Sequence, residues 1–337
     1  MDLSVNYMGL KLKNPIIIGA SNLVTDLTAL KHIEESGAGA IVYKSLFEEQ
    51  IHLENLEHHT VGEDYATRHA EMSSDLYADF PDAGPEEFLM KLRKAKESLS
   101  IPLIASLNCV YEETWVDYAK KIEETGVDGL ELNFYEIPKD FHIDGRSIST
   151  EQIDILKKVK EAINIPVAVK LSPYYTNILY TIAEMDKVGV DAFVLFNRLF
   201  QPEIDIDEEV HYFPYNLSSQ NDNRLAIRFA GLLYGQIDAK VCCNTGIYTG
   251  EDVISMLLAG ADTVQIVSAL YKNGIDYTST ILKDLESWMK NKGYEKLDDF
   301  RGKLSKKVLK DPFTYKRAQY VDILMKSEEI FKKYPLI

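Results

Sequence analysis

Cysteine is scarce in this chain. Three occur among 337 residues: Cys109 alone, and Cys242 beside Cys243. No C-x-x-C is present, which excludes a disulfide framework and a four-cysteine zinc or iron–sulfur centre built by this chain alone. Long apolar runs are missing too. None approaches the ~18 residues of a membrane span, and Met1-Asp2-Leu3-Ser4 lacks the basic and apolar blocks of a secretory signal. No G-x-G-x-x-G occurs, so the dinucleotide fingerprint is absent. Positive charge is in deficit, with 37 Lys and Arg against 53 Asp and Glu and a net charge of −16. That balance argues against nucleic acid as a partner. A soluble, reduced, cytoplasmic protein without a membrane partner is expected.

What is present is an alternation. Eight short apolar runs rich in β-branched residues begin at Pro15, Ala40, Pro102, Gly129, Pro166, Ala192, Ala239 and Thr263, and amphipathic stretches lie between them. Continuous rather than alternating apolar runs suit parallel strands covered on both faces. Four connectors repeat one theme, among them Thr125-Gly126-Val127-Asp128-Gly129 and Val188-Gly189-Val190-Asp191-Ala192. Glycine there permits the left-handed turn that ends a helix. The pattern predicts an α/β fold, a (β/α)8 TIM barrel over 1–304 with extended βα loops at 45–84 and 198–222, and a C-terminal helical tail over 305–337. A doubly wound sheet is the competing architecture. Charge is uneven: from Arg301 onward ten Lys and Arg face four Asp and Glu, while Glu48 to Asp82 holds ten acids and one base.

Polar side chains stand where each run ends: Ser21, Lys44, Asn108, Asn133, Lys170, Asn197, Asn244 and Ser268. In a barrel these positions converge on one pocket. Amides and two lysines suit a flat ligand with several hydrogen-bonding edges and some negative charge, such as a flavin or a pyrimidine. The set resembles neither a glycosidase carboxylate pair nor a metal cage. His52, His58, His59 and His69 in the second loop show no metal-binding spacing and read as solvated loop residues. Asn244-Thr245-Gly246 and Val267-Ser268 lie after runs seven and eight, where barrels often bind phosphate.

In order and spacing, several segments resemble the class 1 dihydroorotate dehydrogenases: Asn14-Pro15 with Ala20-Ser21, Lys44-Ser45, Glu131-Leu132-Asn133, Val169 to Tyr174, Asn197, Thr245 to Asp252, Leu258 to Ile266, and Phe300 to Leu304. The resemblance spans about residues 3–304. It implies an FMN-dependent oxidoreductase of pyrimidine biosynthesis that oxidises dihydroorotate or a related cyclic substrate. Ala20, Ser21, Lys44, Asn133, Lys170 and Asn197 would then meet the flavin or its ligand, with Lys170 near N1 and O2. Thr245, Gly246, Val267 and Ser268 would offer donors to the phosphate. A homodimer and an electron-transfer partner subunit are further implications.

Where the family carries its catalytic cysteine, this chain reads Asn133-Phe134-Tyr135-Glu136-Ile137-Pro138. Glu136 takes the base position in an ungapped alignment, whereas aligning the proline leaves none. Tyr135 is a candidate proton donor in the reducing direction, and Lys44 lies where substrate meets flavin. Two other readings stay open: an FMN- or phosphate-binding barrel without this redox activity, and a lyase using Lys170 as a Schiff base.

Overall fold

All eight apolar runs form strands, and a computed structural model describing residues 1–51, 85–135, 141–198, 202–212 and 217–333 closes them into one parallel barrel. Strands are numbered along the chain. A hairpin, β1 (Val5–Tyr7) and β2 (Leu10–Leu12), precedes β3 (Ile16–Ile18), β4 (Ala40–Val42) and its short continuation β5 (Leu46–Phe47). Then come β6 (Leu103–Asn108), β7 (Gly129–Asn133), β8 (Val167–Leu171) and β9 (Ala192–Leu195). A second hairpin, β10 (Glu203–Asp205) and β11 (Val210–Tyr212), interrupts the series before β12 (Lys240–Cys243) and β13 (Thr263–Ile266). The cycle runs β3–β4–β6–β7–β8–β9–β12–β13 and back to β3, each pairing parallel. This is the expected TIM barrel. Every residue of β6, β7, β8, β9 and β13 is buried, as strands covered on both faces require.

The helices are α1 (Leu27–Glu35), α2 (Pro85–Ser98), α3 (Glu112–Glu123), α4 (Gly145–Ala162), α5 (Ile178–Val188), α6 (Arg224–Leu233), α7 (Gly250–Ala259), α8 (Ser268–Asn273), α9 (Tyr277–Lys292), α10 (Ala318–Met325) and α11 (Ser327–Lys333). Helix α4 begins at Gly145. Its start is set by Asp144, whose carboxylate accepts from the Arg146 and Ser147 amides. The Gly and Ser residues of that first turn carry no apolar periodicity to announce it.

The repeated connector has a physical explanation. Asp128, Asp191 and Asp262 each precede a strand, and each carboxylate accepts an amide at the start of the neighbouring earlier strand: Leu103 at 2.7 Å, Val167 at 2.8 Å and Val241, the second residue of β12, at 2.9 Å. The three aspartate amides donate back to the carbonyls of the same three residues. A cation closes each clasp: Lys96 on Asp128, Lys160 on Asp191, and Arg301 with Lys240 on Asp262. A second set of acids works one layer out. Glu34, Glu123 and Asp186, on α1, α3 and α5, accept amides at Ser100–Ile101, Asn164–Ile165 and Asp238–Ala239. These are the residues leading into β6, β8 and β12, so strand register is fixed at the N-terminal end of the barrel.

The β1–β2 hairpin turns through Met8 and Gly9, both with positive φ, and lies under the barrel. A Cβ on Gly129 would stand 3.1 Å from Met8 Cε, so the hairpin seats closely against the start of β7. Beyond Leu304 the chain runs over α6, where Tyr315 donates to the Leu304 carbonyl and the Thr314 carbonyl accepts from Arg228. Helix α10 leaves that surface with no buried residue; Met325 is 80% exposed. The acidic stretch and its four histidines, at 52–84, lie outside the described residues.

Replacing Asp262 by Ala removes the acceptor of the Val241 amide and one of the two carboxylates on Arg301. A loss of about 2–4 kcal/mol is expected by denaturant unfolding. Asp262→Asn, which keeps an acceptor for the amide, loses less. Coincident unfolding curves for Asp262→Ala and wild type would contradict the clasp.

Candidate active site

A cleft of about 170 Å³ opens at the C-terminal ends of β3, β8, β9, β12 and β13. Nine of the sequence-predicted residues line it: Ala20, Ser21, Lys170, Asn197, Asn244, Thr245, Gly246, Val267 and Ser268. Asn133, the last residue of β7, joins them through a hydrogen bond, its side-chain oxygen accepting from Asn197 Nδ2. Its main-chain carbonyl accepts from Asn108 Nδ2 at 2.7 Å, so the end of β6 props the end of β7. Lys44 is half-buried two residues past β4, at the same end of the barrel, and is not among the lining residues. Tyr135 is also half-buried, its amide donating to the Asn133 carbonyl at 2.9 Å, and it too stands apart from the lining. Glu136 lies outside the described residues.

One corner of the cleft is built by two consecutive left-handed residues, Thr245 (φ 74°) and Gly246 (φ 73°). A Cβ on Gly246 would lie 2.6 Å from the Asn223 nitrogen and 2.7 Å from the Ser219 carbonyl oxygen. Glycine is therefore needed both for the turn and for the approach of the 217–223 segment. That segment supplies Ser218, which sequence reasoning missed. The Ser218 hydroxyl accepts from the Gly246 amide at 3.3 Å and donates to Ser268 Oγ at 2.9 Å. The Thr245 hydroxyl donates to the Phe196 carbonyl at 2.9 Å, so it holds the loop in place rather than offering a spare donor. Arg198 and Gln265 are further lining residues that strand-end reasoning did not select. Arg198 sits in a loop without periodicity. Gln265 sits mid-strand, where its inward side chain is legible only once the barrel is closed.

Beneath the cleft lies a buried charge. Glu131, on β7, is 1% exposed. Its Oε2 accepts from Gln265 Nε2 at 2.6 Å, and its Oε1 stands 3.5 Å from Lys170 Nζ. All three cysteines are buried as neutral thiols. Burial pushes Cys242 up to about 12 and raises Cys243 well above the usual thiol range. Cys109 is raised by burial and further by Glu48 and Glu49. A larger cavity of about 480 Å³ sits at the opposite end of the barrel, beside the first hairpin. Its Lys240 and Arg301 are already engaged by Asp262, so it belongs to the clasp layer.

The family model for dihydroorotate dehydrogenase matches residues 2–289. The chain belongs to the dihydroorotate dehydrogenase family. It is 30% identical over 306 residues to the dihydroorotate dehydrogenase B (NAD(+)) catalytic subunit of Methanocaldococcus jannaschii, covering 86% of this chain and 94% of that protein. The same-named protein of Methanocella arvoryzae is 31% identical, covering 92% and 100%, and that of Pyrococcus abyssi 29% identical, covering 89% and 98%. Membership makes the chain an oxidoreductase of dihydroorotate dehydrogenase type, a flavin-dependent dehydrogenase acting on a CH–CH bond.

The cleft suits a flavin on its own chemistry. Three amides (Asn197, Asn244 and Gln265) and the Lys170 ammonium line the cleft, Asn133 adjoins it through its bond to Asn197, and Gln265 Oε1 is buried with no hydrogen-bond partner among the described residues. A flavin ring presents acceptors and an imide N–H in one plane, which that mixture can meet. The Ser218 and Ser268 hydroxyls meet beside Gly246 at one end of the cleft, after the seventh and eighth barrel strands, where barrels often bind phosphate. Among the described residues no cluster of His, Cys, Asp or Glu is arranged to hold a metal.

Because all three thiols are held protonated, none should react with an aromatic disulfide reagent in the native protein at about pH 8, and all should react once it is denatured. Prompt modification of a native thiol would contradict the buried, neutral assignment.

Proposed function

We propose that this protein is an FMN-dependent dehydrogenase that oxidises dihydroorotate, or a related cyclic substrate, in the cytoplasm. The convergence of Asn133, Lys170 and Asn197, from the ends of three successive barrel strands, on one amide-rich cleft carries the reading. When bound, FMN supplies the hydride-accepting ring.

The chain's own residues supply position and charge. Lys170 presents a fixed cation to the ring edge where negative charge collects on reduction, the edge carrying N1 and O2. Asn133 and Asn197 hold each other in one orientation, which presets their remaining polar atoms for the ring or the substrate. Gly246, Ser218 and Ser268 form the phosphate end, with Thr245 and Val267 shaping it and Ala20 and Ser21 bordering the ring. Lys44 belongs to the substrate side. Proton removal from the substrate carbon falls to Glu136, with Tyr135 the proton donor for the reverse direction; the neutral thiols of Cys109, Cys242 and Cys243 are poorly suited to it.

The barrel over 1–304 is the catalytic unit and 305–337 an appended tail. The assembly is a homodimer whose electrons leave through a partner subunit. The relatives bear the name of a catalytic subunit, and this chain has too few cysteines for a four-cysteine cluster of its own. A flavin barrel without dihydroorotate activity is the second reading, favoured by Glu136 standing where the family has cysteine. A Schiff-base role for Lys170 is disfavoured by its buried carboxylate partner, since imine formation needs the free amine.

The purified protein should show the visible bands of oxidised flavin, and these should bleach on anaerobic mixing with dihydroorotate. A flavin spectrum that dihydroorotate leaves unchanged would remove that substrate and support the second reading. Lys170→Met should slow bleaching by about 10²-fold, the usual cost of one lost electrostatic donor.

A further inference from the structure

The residue that decides how Lys170 behaves is not in the cleft. Glu131 sits one layer below it, on β7, two positions before Asn133 and on the same inward face. Its carboxylate is held from two directions. Gln265, on β13, reaches across the barrel to Oε2, the two strands lying half a turn apart in the eight-strand cycle. Lys170, on the adjacent β8, faces Oε1. Glu131 Oε1 has no hydrogen-bond donor among the described residues, so within that set its compensation at this oxygen is the ammonium alone.

A carboxylate this deeply buried costs several kcal/mol unless it is paired and hydrogen-bonded. Here the pairing serves a purpose beyond closing a core. Lys170 and Gln265 both line the cleft, and both are tied to the same carboxylate. One buried anion thus fixes two of the side chains that face the ring and stands directly behind the cation that the ring sees.

Resting on the flavin reading above, we propose that Glu131 is the positioning residue that holds the Lys170 ammonium at the flavin and, through it, sets the flavin's reduction potential. The ring meets a cation whose counter-charge lies immediately behind it. Removing the counter-charge while keeping the shape leaves the cation uncompensated and makes the site more welcoming to electrons.

The test is Glu131→Gln in the FMN-loaded protein. The variant keeps an acceptor for Gln265 Nε2 and changes charge alone. Its flavin midpoint potential should move to a more positive value, whereas Lys170→Met should move it to a more negative one. A potential that is unchanged or more negative in Glu131→Gln overturns the inference, because a merely structural glutamate would leave the potential where it was. A second measurement needs no flavin. In the apo-protein, Lys170→Met strands a buried carboxylate and should lower the melting temperature more than the double variant Lys170→Met with Glu131→Gln does. If the double variant melts at or below the sum of the two single losses, the coupling is absent and the inference falls. Wild-type protein that takes up no FMN would overturn the flavin reading and this inference with it. Wild-type protein that binds FMN beside an unshifted Glu131→Gln variant overturns this inference alone.

Discussion

Strand register at the N-terminal end of the barrel is the constraint on which the rest depends. A parallel barrel has no tight turns to set register, and a slip of one residue would turn every inward side chain outward. In this chain the aspartates of the repeated connectors fix it. Asp128, Asp191 and Asp262 each bind a residue at the start of a neighbouring strand through amide and carbonyl together, and each is closed by a cation. With β8 pinned at Val167, Lys170 must point into the barrel opposite Asn133 of β7. The active-site geometry at one end is thus dictated by carboxylates some five residues away at the other.

The same clasps account for much of the chain's acidity. Acids at the base of the barrel stand beside strand-opening amides, and Glu34, Glu123 and Asp186 repeat the device from the helices. A net charge of −16 therefore reports partly on architecture, not only on the substrate or partner. Glu48 is a further case. Almost fully buried, it accepts from the Tyr111 amide and the Thr114 hydroxyl and so caps α3, whose own first residues provide no side-chain cap. It ties the segment after β4 to the segment after β6, two neighbouring loops at the functional end.

Legibility in the sequence followed the same division. The eight strands and their helices were readable because burial on two faces demands unbroken apolar runs, and the strand-end positions Lys170, Asn133 and Asn197 could be placed by counting to the end of each run. Ser218 and Arg198 could not, because a loop's path is set by contacts such as that between Gly246 and Asn223, which no periodicity encodes. Thr245 was read as a phosphate donor from its place after the seventh run, yet its hydroxyl is committed to the Phe196 carbonyl. Strand counting locates a side chain without saying which neighbour claims it. Glu131 carries no signal of its own in the sequence, since a lone acid inside an apolar strand stands out only once the strand opposite is known to carry Gln265.

This division also explains why the cofactor end of the reading stands more firmly than the substrate end. Ring-facing groups sit on strands whose positions are overdetermined by hydrogen bonds at both ends, and Asn108, Asn133 and Asn197 brace one another across three of them. Such groups can be altered only at a cost to the barrel itself. Lys44 and Tyr135 follow strands into loops, where a change of residue leaves the register intact. A barrel of this kind can therefore exchange loop residues at its functional end while its strand-end side chains stay in place. The strands fix where Asn133, Lys170 and Asn197 stand, and the loops that follow them set what else meets that end.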